Sequence, residues 1–106
     1  VVDLGEARAV GRVACSFLQA QSSWIFLPRS VELSVSTDGA EYAVVGRDGV
    51  DPARDASVEA RTFSAEFEVR NVRFVRVRAT GVGPCPDWHP GAGEASWLFV
   101  DEIVVE

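Results

Sequence analysis

The chain has 106 residues, of which 47% are hydrophobic, and it carries a net charge of −6. Its length and composition predict one folded domain with a single core, and they exclude two domains or a disordered chain. The acidic charge disfavours nucleic acid and anionic membranes as partners, and no apolar run approaches the roughly 18 residues of a membrane span.

Apolar residues alternate with polar ones along most of the chain, which is typical of half-buried β-strands. The alternation is clearest in 31–37, 62–69 and 72–79. The last predicted strand is apolar on both faces, which predicts a central position in the sheet. In chain order, the predicted strands are 1–4, 10–18, 31–37, 41–46, 62–69, 72–79 and 97–106.

Turn signals separate these strands, above all Asp38-Gly39 and the glycine-rich stretch 81–93. No segment has the apolar spacing of an amphipathic helix of ten residues or more. About seven short strands with turns between them predict an all-β fold, an antiparallel β-sandwich. We expect its core to contain Val31, Leu33, Val35, Phe63, Phe67, Val75, Val77 and Ile103.

A second hairpin is predicted at Asn71, between the two alternating segments that flank it. Such a hairpin would place Glu66 and Glu68 of one strand beside Arg76 and Arg78 of the next, where opposite charges would stabilise the pair. The alternative is that the two arginines bind an anionic ligand. Alternating charges on a strand are more often a solvated face, which favours the charge pairs over an anion-binding site.

The two cysteines are predicted to be free thiols. Cys15 is in phase with Val13 and Phe17 and is expected to be a small buried side chain. Cys85 lies in a predicted loop far along the chain, and a disulfide between the two would need a specific geometry that the sequence does not favour.

One short stretch, 83–99, contains Cys85, Asp87, two tryptophans and the only histidine. Cys85 and His89 could supply two metal ligands, but a structural zinc site needs four. A Cys–His nucleophile needs the imidazole within hydrogen-bond reach of the sulfur, and a proline-interrupted loop is poor geometry for that contact. The stretch therefore predicts neither a metal site nor a catalytic thiol.

A sugar-stacking surface is better supported. Trp88 and His89 are predicted at the tip of this loop, and Trp24 lies in a second predicted loop. Aromatic faces suit the C–H face of a sugar, and Gln19, Asp87 and His89 could supply directional hydrogen bonds. The alternative is that the tryptophans cap the end of the sandwich core. The pattern by itself does not decide between the two.

Three stretches resemble the coagulation factor 5/8 type C (discoidin) domains. They are "SVELSVSTDGAEYAVVG" (30–46), "VRFVRVRATGVG" (72–83) and "SWLFVDEIVVE" (96–106). The resemblance implies a galactose-binding-like jelly-roll sandwich, a fold shared with family 32 carbohydrate-binding modules. A narrower resemblance, over 17–39 and 83–103, is to the C-terminal appendage of bacterial β-N-acetylhexosaminidases (chitobiases) of glycoside hydrolase family 20.

The resemblance implies a non-catalytic accessory domain of an exported bacterial enzyme, secreted, periplasmic or at the cell surface. Residues 1–106 would be one domain excised from that enzyme, because the first predicted strand starts at residue 1. Its partner would be a glycan of N-acetylhexosamine or galactose type, or the catalytic domain of the parent enzyme. No catalytic residue and no cofactor are expected.

The residues that match the two loop motifs of these relatives are Trp24, Trp88 and His89. Many relatives also hold a structural calcium ion, and Glu102 matches one of its ligands. Calcium takes six to eight oxygen ligands, which one carboxylate cannot supply. We therefore expect no calcium in this chain, although a longer domain could bind it.

Overall fold

A computed structural model describes all 106 residues and contains five β-strands and a single 3-10 turn. The all-β prediction is therefore confirmed at the level of fold class. The strands are β1 (Val2–Gln19), β2 (Ser30–Ser36), β3 (Ala43–Asp48), β4 (Glu59–Thr80) and β5 (Val100–Val105), and the turn is Gln21–Ser23. No helix in the chain is long and apolar enough to cross a membrane.

The five strands form one antiparallel sheet in the order β3-β2-β4-β1-β5. β4 is central: its first half pairs with the second half of β1, and its second half pairs with β2. The hairpin predicted at Asp38-Gly39 is confirmed, because β2 and β3 are antiparallel neighbours on either side of it. The Ser36 hydroxyl accepts from the Gly39 N–H at 2.9 Å and helps to close this turn.

The hairpin predicted at Asn71 is wrong, since β4 runs through this position without a turn. Asn71 pairs with Ala9 in the ladder between β4 and β1. A two-residue hairpin needs a left-handed residue such as glycine after the asparagine, and here Val72 follows. The strands predicted at 1–4 and 10–18 are likewise joined in β1, with a register irregularity between Asp3 and Arg8.

The charge pairs that depended on that hairpin are wrong as well. Glu66 lies across from Arg12 of β1, and Arg78 lies across from Glu32 of β2. Glu32 instead forms an ion pair with Arg47 of β3, with 3.3 Å between Oε2 and Nε. The glutamates and arginines of β4 therefore face different neighbouring strands.

The core forms because the sheet curves round on itself. In the order of the sheet, β2 lies between β3 and β4. Nevertheless, a Cβ on Gly46 of β3 would lie 2.6 Å from the Cβ of Ala65 in the first half of β4. Val31 and Leu33 of β2 share one apolar cluster with Phe63 of β4. The curvature thus places the two halves of β4 on opposite sides of a common core.

Most of the predicted core residues lie in this cluster. Val31, Leu33, Val35, Phe63 and Val75 are all buried. Two more of them, Phe67 and Val77, are partly buried against the cluster.

The eighth predicted core residue, Ile103, is exposed, because β5 is an edge strand and not the central strand that its apolar pattern predicted. It lies across from Cys15 of β1, but no strand covers the other side of β5.

Candidate functional site

The chain leaves β1 through a tight loop that presents Trp24. The 3-10 turn follows Gln19, and Trp24 closes it with a left-handed backbone (φ 61°), its N–H donating to the Gln21 carbonyl at 3.0 Å. Ala20 and Ile25 then bond to each other across the base of the loop. A bulky residue in the left-handed region costs roughly 1–3 kcal/mol, and such strain concentrates at functional positions.

The stretch from Gly83 to Trp97 is a loop held by its own backbone hydrogen bonds. Cys85 donates to the Glu94 carbonyl at 2.8 Å and accepts from the Gly93 N–H at 3.1 Å, which closes its base. Gly93 has a φ of 83°, a conformation that a residue with a Cβ would adopt only under strain. The loop is therefore ordered before any ligand arrives.

His89 joins this loop to the turn after β1. Its Nδ1 accepts from the Gly91 N–H at 3.0 Å, so the ring proton sits on Nε2, which donates to the Gln21 carbonyl at 2.6 Å. The side chain is buried, with 7% of its surface exposed. The expectation that His89 lies at the loop tip is therefore wrong. Both ring nitrogens have backbone partners, because the two loops close over the imidazole.

Three aromatic rings surround the His89 imidazole. The His89 ring meets Trp24, Phe26 and Trp88 edge to face, with centroids 5.4, 5.1 and 6.2 Å away. Edge-to-face pairs are the favoured aromatic geometry. The edge of the Trp24 indole lies against Gly91, where a Cβ would stand 2.5 Å from Cε2. A glycine is therefore required for the indole to keep its place.

A third segment, 49–58 between β3 and β4, completes the site. Gln21 holds it in two places: its amide donates to the Ala53 carbonyl at 2.8 Å and accepts from the Asp55 N–H at 3.0 Å. Arg54 then reaches Trp88, where Nη2 donates to the carbonyl oxygen at 3.0 Å and the guanidinium lies 5.5 Å from the ring centroid. The segment is thus bound to both loops that the sequence singled out.

Together the three segments enclose a cleft of about 540 Å³. Both tryptophans contribute to its wall and both are half-buried. Its charged side chains are Arg54 and Asp55, and the Ser57 hydroxyl and N–H hold the pKa of the Asp55 carboxyl below its usual range. The lining residues are Gln21, Ser22, Trp24, Arg54, Asp55, Ala56, Trp88, His89 and Pro90.

Only some of the residues that were predicted from the sequence to bind sugar line the cleft. Trp24, Trp88 and His89 line the cleft. Gln19 is buried beneath it, where its amide donates to the Ser57 carbonyl at 3.2 Å, so it positions a loop and is not at the surface. Asp87 is exposed beside Trp88 but outside the lining.

Arg54, Asp55 and Gln21 were missed from the sequence. The segment around Arg54 has no alternating apolar pattern, and nothing in the local sequence shows that it folds back onto Trp88. That proximity arises because β3 and β4 place the ends of this segment near the end of β1. Contacts between loops distant in sequence give no periodic signal.

Neither cysteine lines the cleft, and nor does Glu102. Cys15 and Cys85 are free thiols, both buried, and burial raises the pKa of each. Glu102 is exposed on β5 across from Ser16. No group of three or more His, Cys, Asp or Glu side chains in the chain could hold a metal ion. Glu102 and its surroundings therefore do not fit a calcium ion, which needs six to eight oxygen ligands.

Comparison with known proteins adds no relative. No protein-family model matches the chain. No curated protein matches it either.

Proposed function

We propose that the chain is a non-catalytic carbohydrate-binding domain of the galactose-binding-like, factor 5/8 type C kind, with a jelly-roll sandwich. Its parent would be an exported bacterial glycoside hydrolase such as a β-N-acetylhexosaminidase. The observation that carries the proposal is the cleft in which Trp24 and Trp88, both half-buried, meet Arg54 and Asp55. The sequence resemblance over the same two loops implies the same function.

The cleft has the physical properties that a small sugar needs. Its volume of about 540 Å³ lies within the range of roughly 300–1,000 Å³ typical of small-molecule sites. Indole faces pack on sugar C–H groups, while the guanidinium of Arg54 and the free side of the Asp55 carboxylate can bond hydroxyl groups. The loops are already held by His89 and Gln21, so they lose little conformational freedom when a ligand binds.

Hydrolysis in this cleft is not proposed, because the chemistry for it is missing. Most glycosidases use two carboxyl groups set across the sugar ring, and others use one acid together with the substrate's own acetamido group. Asp55 is the one carboxylate in the lining. A low pKa makes Asp55 a poor proton donor at neutral pH. His89 cannot serve as a base for Cys85 while both of its ring nitrogens bond to backbone groups.

Titration by NMR with N-acetylglucosamine, galactose and chitobiose tests the proposal. We expect millimolar binding, equivalent to about −4 kcal/mol, with shifts at the residues that line the cleft. Trp88→Ala should remove about 1–3 kcal/mol of affinity through lost apolar burial. Trp97→Ala is the matched control, because Trp97 is 64% exposed and outside the lining. Absence of shifts at millimolar sugar would refute the proposal for this chain.

A second function is favoured by a different observation: the loops already pack on one another. The hydrogen bonds of His89 to backbone groups and the packing of Trp24 against Gly91 are contacts that stabilise the loops. The domain would then pack against the catalytic domain of its parent without binding sugar. In that case Trp88→Ala lowers the melting temperature while the wild-type domain shows no sugar shifts.

A further inference from the structure

β5 presents an open backbone edge. Glu106 and Arg12 exchange both hydrogen bonds, at 2.9 Å each, so they form a hydrogen-bonded pair of the β1–β5 ladder. Because such pairs alternate in an antiparallel ladder, the peptide groups of Ile103 and Val105 point away from β1, up to the register irregularity at Asp101. β5 ends the sheet order, so no strand of the chain meets these outward groups.

Four large apolar side chains on or just before β5 are exposed. Trp97 is 64% exposed, Phe99 48%, Val100 52% and Ile103 36%. Edge strands are usually protected by charged side chains, proline, a bulge or cover from another segment. Residues 97–106 contain no proline, and their charged side chains are all acidic: Asp101, Glu102 and Glu106. Four large exposed apolar side chains within seven residues of one edge favour an interaction site here.

The opposite edge of the sheet lacks these features. β3 carries a base and an acid, Arg47 and Asp48, and its single large exposed apolar side chain is Val44. Its Gly46 packs closely over Ala65. The two edges therefore differ in apolar exposure and in charge, although both are open.

The charge of β5 decides which strand fits it. Asp101 and Glu102 take part in none of the four ion pairs of the chain, and Glu106 meets only Arg12, at 3.6 Å, with the Glu106 side chain exposed and that of Arg12 half-buried. A second copy would bring another acidic β5 alongside, from a chain of net charge −6. Like charges brought together across strands are destabilising, whereas lysine or arginine beside these acids would be stabilising.

We propose that the open edge of β5 binds an extended segment of a partner protein that alternates aliphatic with basic residues. The segment adds a sixth strand by pairing with the peptide groups of Ile103 and Val105. Its aliphatic side chains cover Ile103, and its basic side chains meet Glu102 and Glu106. This surface is separate from the sugar cleft, and none of these residues lines that cleft.

Peptide titration of the ¹⁵N-labelled domain tests the proposal. The probe is a capped heptapeptide of alternating valine and lysine. Two control peptides replace lysine with glutamate, or carry N-methyl groups on two successive central residues, which removes a donor from each edge. We expect shifts and slowed amide exchange at Ile103 and Val105, with binding at least tenfold weaker for either control peptide. The amides of β3 should not respond.

Charge-reversal variants test the electrostatic part. Asp101→Lys combined with Glu102→Lys should weaken binding of the valine–lysine peptide at least tenfold. Glu41→Lys combined with Glu68→Lys changes the net charge equally at exposed positions off this edge and should leave binding within about twofold.

Two results would overturn the proposal. One is equal binding of all three peptides, or of none. The other is a stable dimer by sedimentation whose interface protects the β5 amides, since a second copy would then occupy the edge. Loss of sugar binding would have no bearing on either result.

Discussion

Replacing Gly91 with alanine should disturb the site more than any other single methyl group. Gly91 is buried, and a Cβ there would stand 2.5 Å from Cε2 and 2.8 Å from Cδ1 of Trp24, and closer still to Nε1. Carbon atoms in contact prefer about 3.5–4.0 Å, so the indole must move by about 1 Å or more. The backbone itself suits alanine, because the φ of Gly91 is not positive.

The cost of this overpacking should be about 1–3 kcal/mol, which corresponds to a fall in melting temperature of about 5–20 °C for a domain of this size. Thermal unfolding followed by circular dichroism measures it. Gly81→Ala is the control, because a Cβ there meets only Leu98 at an ordinary 3.9 Å. That variant should unfold within a few degrees of the wild type.

A double-mutant cycle identifies the cause. In a Trp24→Ala background the indole is gone, so adding Gly91→Ala should cost less than 0.5 kcal/mol. An unchanged melting temperature for Gly91→Ala in the wild type would refute the packing argument. So would an equal loss in both backgrounds, because the clash could not then involve the indole.

Three further predictions concern the same loops and turns. His89→Phe should lower the free energy of unfolding by about 1–3 kcal/mol in urea titrations, since it leaves the Gly91 N–H unpaired and removes one of the two hydrogen bonds to the Gln21 carbonyl; no change would contradict the bridging role. The Glu41 N–H holds the pKa of the Asp38 carboxyl below its usual range, followed by other donors of the turn. Because the folded pKa is the lower one, this contribution is complete above about pH 4, the unfolded value, and is lost as the pH falls below it. Asp38→Asn should therefore show a smaller loss of stability between pH 5 and pH 2 than the wild type, and parallel curves would exclude the effect. Burial raises the pKa of Cys15 and of Cys85, so both should react slowly with iodoacetamide at pH 7 in the folded state and rapidly in urea. Fast reaction of Cys85 in the native domain would show that its loop opens.

The strand pattern was largely predictable because alternation is local. Val31, Leu33 and Val35 alternate with polar residues, and one face of a strand must be buried for the sheet to be stable. The same rule failed at β5, whose apolar residues predicted a central strand. Alternation reports that a face needs cover, but it does not report whether the chain itself supplies the cover.

The turns were less predictable than the strands. Asp38-Gly39 was found because glycine gives the left-handed conformation that a tight hairpin requires, and its φ is 77°. Asn71 was placed in a turn that does not exist, because asparagine tolerates both turns and strands. Long strands such as β4 depend on partners along their whole length, and those partners come from distant parts of the chain.

The sequence by itself determined the all-β class, most of the core and the two aromatic loops, because each depends on neighbours a few residues apart. The tertiary structure decided which loops meet. It placed the His89 side chain inside the aromatic cluster and not exposed at the tip of its loop. It also placed Gln19 where its side chain holds the backbone at Ser57, and it brought Arg54 to Trp88 across 34 positions of chain. Such contacts form because a curved sheet brings the ends of distant strands together, and no local pattern of residues encodes that curvature.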